Sequence, residues 1–185
     1  MKVTAKKQKE VAIAPEGVFF ARCIRIIDLG TQTVNFEGSS SEKRQIQFSF
    51  ELLSEKHVFD PEIGEQPFIV HSKTLTLSLH RKSALRSLLE SWSGKKIPET
   101  GEVDIDSFLG KECQVQVVHN EYNGNTYANI SGVLSVAKGM KVPPAENEAL
   151  MISLEPDEFK QDAFEKLPEW LREKISASPE YQALL

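Results

Sequence analysis

The order of hydrophobic periods along this chain predicts an all-β core of three strands, one helix and two further strands, followed by a helical tail. Three observations carry the prediction. Between Gly17 and Leu79 lie three runs rich in β-branched and aromatic residues, with apolar and polar positions alternating. From Ala84 to Trp92 the period lengthens to that of a helix. Beyond it, Asn123-Gly124 separates two alternating runs, a strong signal for a two-residue type I′ turn because both positions need positive φ.

The first strand is read as Gly17 to Leu29 (GVFFARCIRIIDL), with a bulge expected because Arg22 and Arg25 fall on opposite faces. The stretch GTQTVNFEGSSSEK reads as a polar loop. Arg44 to Leu53 alternates cleanly, with Ile46, Phe48, Phe50 and Leu52 inward and Gln45, Gln47, Ser49 and Glu51 outward. A loop carrying Pro61, Gly64 and Pro67 leads to a third strand, Phe68 to Leu79.

Ala84, Leu85, Leu88, Leu89 and Trp92 share one face of a helix spanning Arg81–Trp92 that stops before Gly94 and Pro98. Asp106 reads as the cap of a short turn. In the hairpin that follows, pairing outward from the turn sets Tyr122 beside Asn125, Asn120 beside Tyr127, Val118 beside Asn129 and Val117 beside Ile130. Val115, Val117, Ala128 and Ile130 then face inward; Gln116, Asn120, Tyr122, Tyr127 and Asn129 share the other face.

This order is that of an OB-fold, a five-stranded Greek-key barrel with one helix between strands 3 and 4. It is assigned to residues 15–138, with an open α+β sheet as the competing architecture. Residues 139–153, with Pro143-Pro144, read as a linker. Residues 154–185 read as an acidic amphipathic helical tail, with Phe159, Ala163, Phe164, Leu167, Trp170, Leu171 and Ile175 on its apolar stripe and Pro168 starting a second helix. Two roles stay open for that tail: packing on the barrel or binding a partner.

Composition narrows the function classes. The chain has 185 residues, 40% hydrophobic, enough for one packed domain. Its net charge of −5 is uneven. Residues 1–140 carry 17 basic and 17 acidic side chains, and residues 141–185 carry 5 and 10. A neutral body lacks a broad basic field, so nucleic-acid binding would rest on local clusters: Lys6-Lys7 with Lys9, Lys43-Arg44, Arg81-Lys82 with Arg86, and Lys95-Lys96. No secretory or membrane-spanning pattern stands out, and two separated cysteines fit a reduced, cytoplasmic protein. Phosphate loops, nucleophile elbows and zinc-ligand spacings do not occur, so neither an enzyme nor a cofactor or metal is expected. The histidines are scattered singly, and His119 falls on the inner face of its strand, as a satisfied structural histidine would.

The block FLGKECQVQVVHNEYNGNTYANISGVL, the Pro-Pro segment and LPEWLREKISASPEYQAL together resemble a group of bacteriophage-encoded proteins of the OB-fold, single-stranded-DNA-binding kind. The likeness covers roughly the last 80 residues closely and the earlier strands by layout. It implies a non-catalytic protein that coats or escorts single-stranded DNA during phage replication or recombination, in the host cytoplasm. The chain departs from the usual acidic terminus with its final aromatic, ending instead in the apolar SPEYQALL.

Non-specific binding of single strands needs aromatic platforms and cations, which an OB-fold places on strands 2–3 and on the 1–2 and 4–5 loops. The candidate contacts are therefore Phe36, Lys43 and Arg44, His71 and Lys73, and Asn120, Tyr122, Tyr127 and Asn129. Expected partners are single-stranded DNA, phage or host replication and recombination proteins met through the tail, and a second copy of the chain; a membrane is not among them. The alternative is an OB-like protein-interaction module that binds a host factor or inhibits a defence protein through its tail.

Overall fold

In the computed structural model, which describes residues 11–185, the chain is mostly β with a few short helices. The lysines at positions 6, 7 and 9 lie outside the described residues. The strands are β1 (Gly17–Phe36), β2 (Ser39–Asp60), β3 (Gly64–His71), β4 (Leu75–Thr76), β5 (Glu112–Tyr122), β6 (Asn125–Leu134) and β7 (Leu150–Ile152). Helix α1 is Ala84–Ser93, and α2 (Gln161–Glu165), α3 (Glu169–Ser176) and α4 (Pro179–Gln182) follow β7. The path β3-β2-β1-β5-β6 is antiparallel throughout and curls into a nearly closed barrel, with β3 and β6 facing each other across an unbonded seam.

The hairpin register matches the sequence reading residue for residue, from Tyr122 opposite Asn125 to Val117 opposite Ile130. Asn123 and Gly124 take φ of 50° and 77°, as a type I′ turn requires. Helix α1 starts at the Ser83 cap, whose hydroxyl accepts from the Arg86 amide, and ends at left-handed Gly94. It lies between strands 3 and 4 as expected, and Trp92 packs edge-on against Phe48 and Phe50 while its indole donates to the Glu112 carbonyl at 2.9 Å. The core of this barrel comprises Ile46, Phe48, Phe50 and Leu52 from β2, with Leu85, Leu89, Val115 and Val117.

Several expectations are corrected. The stretch read as a polar loop is a β-ribbon: β1 and β2 stay paired out to Phe36 and Ser39, closed by Glu37-Gly38 with φ of 47° and 79°. Strand 3 is two pieces, β3 and β4, interrupted at Ser72–Thr74. Asp106 does not cap the short 3-10 turn but is its first residue, and its amide donates to the Asp104 carboxylate at 3.1 Å. The expected bulge in β1 exists twice, at Cys23/Arg25 and Asp28/Gly30.

The largest correction concerns the face of β2 read as outward. Ser49 and Glu51 are buried at 1% and 0% exposure: Ser49 lies against His71, its hydroxyl 2.8 Å from Nδ1, and Glu51 lies under the chain after Gly139, which crosses the barrel wall. Arg22 donates to the carbonyls of Pro143 and Val142 at 2.6 and 2.7 Å. Glu51 accepts the amides of Glu146 and Asn147 and the Asn147 side chain, at 2.7–2.9 Å. Lys56 pairs with Glu146. Within the span expected as a linker, β7 then pairs in parallel with Arg25–Ile27 of β1.

The helices beyond β7 bury Phe164, Leu167, Leu171 and Ile175 against Ile27 and Leu29, forming a second core on the outer side of β1. Strand β1 is thus covered on both faces, which accounts for its unbroken buried run from Ile26 to Gly30. Trp170, placed by periodicity on the apolar stripe, points outward at 61% exposure. Pro168 caps α3 as the sequence reading expects, with Trp170 in the first turn, so the stripe is shared between two short helices.

Candidate nucleic-acid interface

The seam between β3 and β6 forms an open groove of about 670 Å³. Its walls are Gln66–Lys73 on one side and Tyr127–Ile130 on the other, with Phe59 at one end and Val11–Ala14 beside it. The groove exists because the edges of β3 and β6 do not meet as a ladder.

Local sequence shapes each wall. Ser72 takes over part of the β2 ladder: its amide donates to the Phe48 carbonyl at 2.8 Å and its hydroxyl accepts the Phe48 amide at 3.0 Å. The same hydroxyl donates to the Lys73 carbonyl at 2.8 Å, bending the strand where Lys73 stands exposed. His71 Nδ1 lies 2.8 Å from Ser49 Oγ, and burial, with the charge of Arg25, holds its pKa below the usual histidine value. The lowered pKa favours the neutral ring, so His71 offers a stackable imidazole rather than a fixed charge.

Phe59 belongs to a cluster with His57 and Phe68, its ring 5.0 and 5.2 Å from theirs in edge-on geometry. Phe68 is buried and anchors the cluster, while Phe59 remains 45% exposed. Across the seam Tyr127 is 47% exposed. Two aromatic rings thus flank a groove that also holds Lys73 and the amides Gln47, Gln66 and Asn129. Among the described residues lining it there is no carboxylate, in a chain with 27 of them.

The structure brings His71, Lys73, Tyr127 and Asn129 together at this groove. Asn120 stands beside them, accepting a hydrogen bond from Asn129 at 2.9 Å. Tyr122, 69% exposed, sits at the hairpin tip and does not line the groove. Phe36 and Lys43 lie on the β1–β2 ribbon, both exposed and likewise outside it. Arg44 is engaged elsewhere: its guanidinium pairs with Asp28 and, at 2.8 Å, with Glu155, which raises its already high pKa. Asp28 also accepts the Gly30 and Leu154 amides, so this pair ties β1, β2 and the C-terminal segment together.

Sequence reading passed over Phe59, which fell in an expected loop. Its signal is the alternation of His57 and Phe59 against Val58 just before the Asp60-Pro61 turn, which continues β2. His119, read as a satisfied histidine, meets the Ala14 carbonyl through Nε2 at 2.7 Å. Among the described residues no helix is long and apolar enough to cross a membrane. No protein-family model matches the chain, and no curated protein matches it in sequence.

Proposed function

We propose that the chain binds single-stranded DNA without catalysis and with little sequence preference, serving phage DNA replication or recombination in the host cytoplasm. In this reading the barrel is an OB-type Greek key and the seam groove is its DNA-binding channel. The observation that carries it is the lining of that groove: the half-exposed rings of Phe59 and Tyr127, the Lys73 ammonium, and no carboxylate among the described residues. Stacking on aromatic rings is worth about 1–3 kcal/mol per base and works for every base, because each has a π-face. A single lysine supplies one phosphate contact, so stacking supplies much of the affinity and the amides serve base edges.

Anisotropy of a fluorescent oligo(dT) of about 16 nucleotides, the upper footprint of one such fold, tests this at low salt. Binding that exceeds duplex binding, and that falls about 5- to 150-fold for Phe59→Ala or Tyr127→Ala (about 1–3 kcal/mol), is the expected result. A folded protein that binds no oligonucleotide refutes it. A protein-docking role for the C-terminal segment is the second reading. It is favoured by Trp170, 61% exposed on a helix whose other large apolar residues are buried.

A further inference from the structure

We infer that the nucleic-acid path does not end at the seam but continues across the outer face of α1 to Lys95 and Lys96; the inference rests on the single-stranded-DNA reading of the groove. Two further hollows extend the groove in one line. The first, about 520 Å³, shares Ser72, Lys73 and Ile130 with it and runs between β4, α1 and β6. The second, about 450 Å³, shares Ser87 and Ser91 with the first and reaches Lys95 and Lys96. Lys73 therefore stands where groove and first hollow meet, and a lysine pair closes the far end.

The ground between them is unobstructed, an apolar floor of Leu75, Leu88, Ile130 and Val133 with hydroxyls set among it. Ser87 is an exposed hydroxyl able to donate to a phosphate oxygen, and the exposed Ser131 hydroxyl is held only by a long bond to the Gln116 carbonyl at 3.4 Å. Gly132 presents no side chain there, and even a methyl group at that position would meet nothing within 4 Å. The floor is fixed, because Ser91 donates to the Val133 carbonyl at 2.7 Å and accepts the Ser135 amide through its own carbonyl at 3.2 Å. Like the groove, the first hollow has no carboxylate among its described lining residues.

Glu90 is the acid of the second hollow, and its charge is already met. Its carboxylate accepts the Ile97 amide at 2.9 Å, Lys96 at 3.1 Å and Arg86 at 3.2 Å. The left-handed turn at Gly94, φ 69°, ends the helix and throws Lys95 and Lys96 into solvent. Among the described residues Lys95 forms no ion pair, so it can meet a phosphate without first losing a partner. From Tyr127 to Leu134, β6 borders this path for about 24 Å at about 3.4 Å per residue. That is a multi-nucleotide footprint whose aromatic end holds bases and whose lysine end holds backbone.

The test measures affinity and salt dependence for oligo(dT) of about 6 and about 20 nucleotides, lengths that bracket the roughly 4–16-nucleotide footprint of single folds. The full-length chain is compared with Lys95→Gln and with Lys95→Gln/Lys96→Gln, thermal melts confirming the fold of each. The single variant matters because Lys95 can be changed without touching Glu90. The long oligonucleotide should bind the double variant about tenfold more weakly at low salt. Its log–log salt slope should shrink by about 0.7 for Lys95 and by no more than that again for Lys96, which Glu90 shares, while the short one binds as before. Long-oligonucleotide affinity and slope that match wild type in both variants overturn the extension and leave the seam reading standing. Failure of the wild-type chain to bind either length overturns the seam reading, and the extension falls with it.

Discussion

Gly30 lies where Ser178 crosses β1, at φ 67°, and a Cβ added there would come within 2.3 Å of Ser178 Oγ. Neither the left-handed backbone nor the close approach tolerates a side chain. Gly30→Ala should therefore lift the C-terminal helices off β1, seen as a lower Tm and rapid proteolysis beyond residue 154. Next to it Glu180 accepts the Thr31 amide and hydroxyl at 2.8 and 2.5 Å. Burial opposes ionisation of this carboxyl, but those hydrogen bonds outweigh it and hold its pKa below the ordinary 4.5. A depressed folded value means that this docking contribution is complete above the unfolded pKa and is lost as pH falls through the folded one. Acid titration of the wild type should thus release the tail below about pH 4.5, and Glu180→Gln should flatten that dependence. A third residue-scale prediction concerns Arg44. Removing one partner of a largely buried ion pair leaves the other uncompensated, so Arg44→Ala should cost about 3 kcal/mol by denaturant unfolding. That is the low end of the range, because Arg44 keeps 27% exposure. Arg44 and Lys43 are indistinguishable as neighbours in the sequence; Asp28 separates their roles, and it lies 16 residues before Arg44.

The β5–β6 hairpin was readable to the residue because Asn-Gly dictates the turn and the turn dictates the register. The β1–β2 ribbon was not, because Glu-Gly between serines and threonines is a weak turn signal and no apolar alternation marks strands that face solvent on both sides. Its pairing is inherited from the buried halves of the same strands. Within the readable hairpin the two tyrosines separate: Tyr127 lines the groove, whereas Tyr122 stands at the tip. Tyr127→Ala should weaken oligo(dT) binding by about 1–3 kcal/mol, and Tyr122→Ala should change it far less. Equal losses would place the DNA on the outer face of the hairpin instead. For the C-terminal segment the elements argue for packing. Truncation after Lys138 would strip Ile27 and Leu29 of their cover and leave Glu51 without its three donors. Aggregation on gel filtration is the expected outcome, since burial of large apolar side chains is worth about 1.5–3 kcal/mol each.

Across the whole molecule the surplus acid charge is confined to the segment that wraps β1, while the described lining of the seam and its first extension is free of carboxylates. Binding should therefore fall with salt only as far as its few lysines allow, with a log–log slope of about −0.7 from Lys73 alone and about −2 with Lys95 and Lys96 engaged as well. A slope near zero would show that charge contributes nothing. By itself the sequence determined the order of strands and helix, the inward residues of β2 and the register of β5–β6. These follow from local periodicity and turn chemistry, which involve residues only a few positions apart. It did not determine which polar face stays wet. Glu51 alternates as a solvent-facing residue does, yet a segment about 95 residues later covers it. Nor could it bring Phe59 and Tyr127 to one groove, or join Lys73 to Lys95 through the hollow beside α1. Those pairings arise only when the sheet curls and leaves β3 and β6 unbonded, a long-range closure that no local pattern encodes.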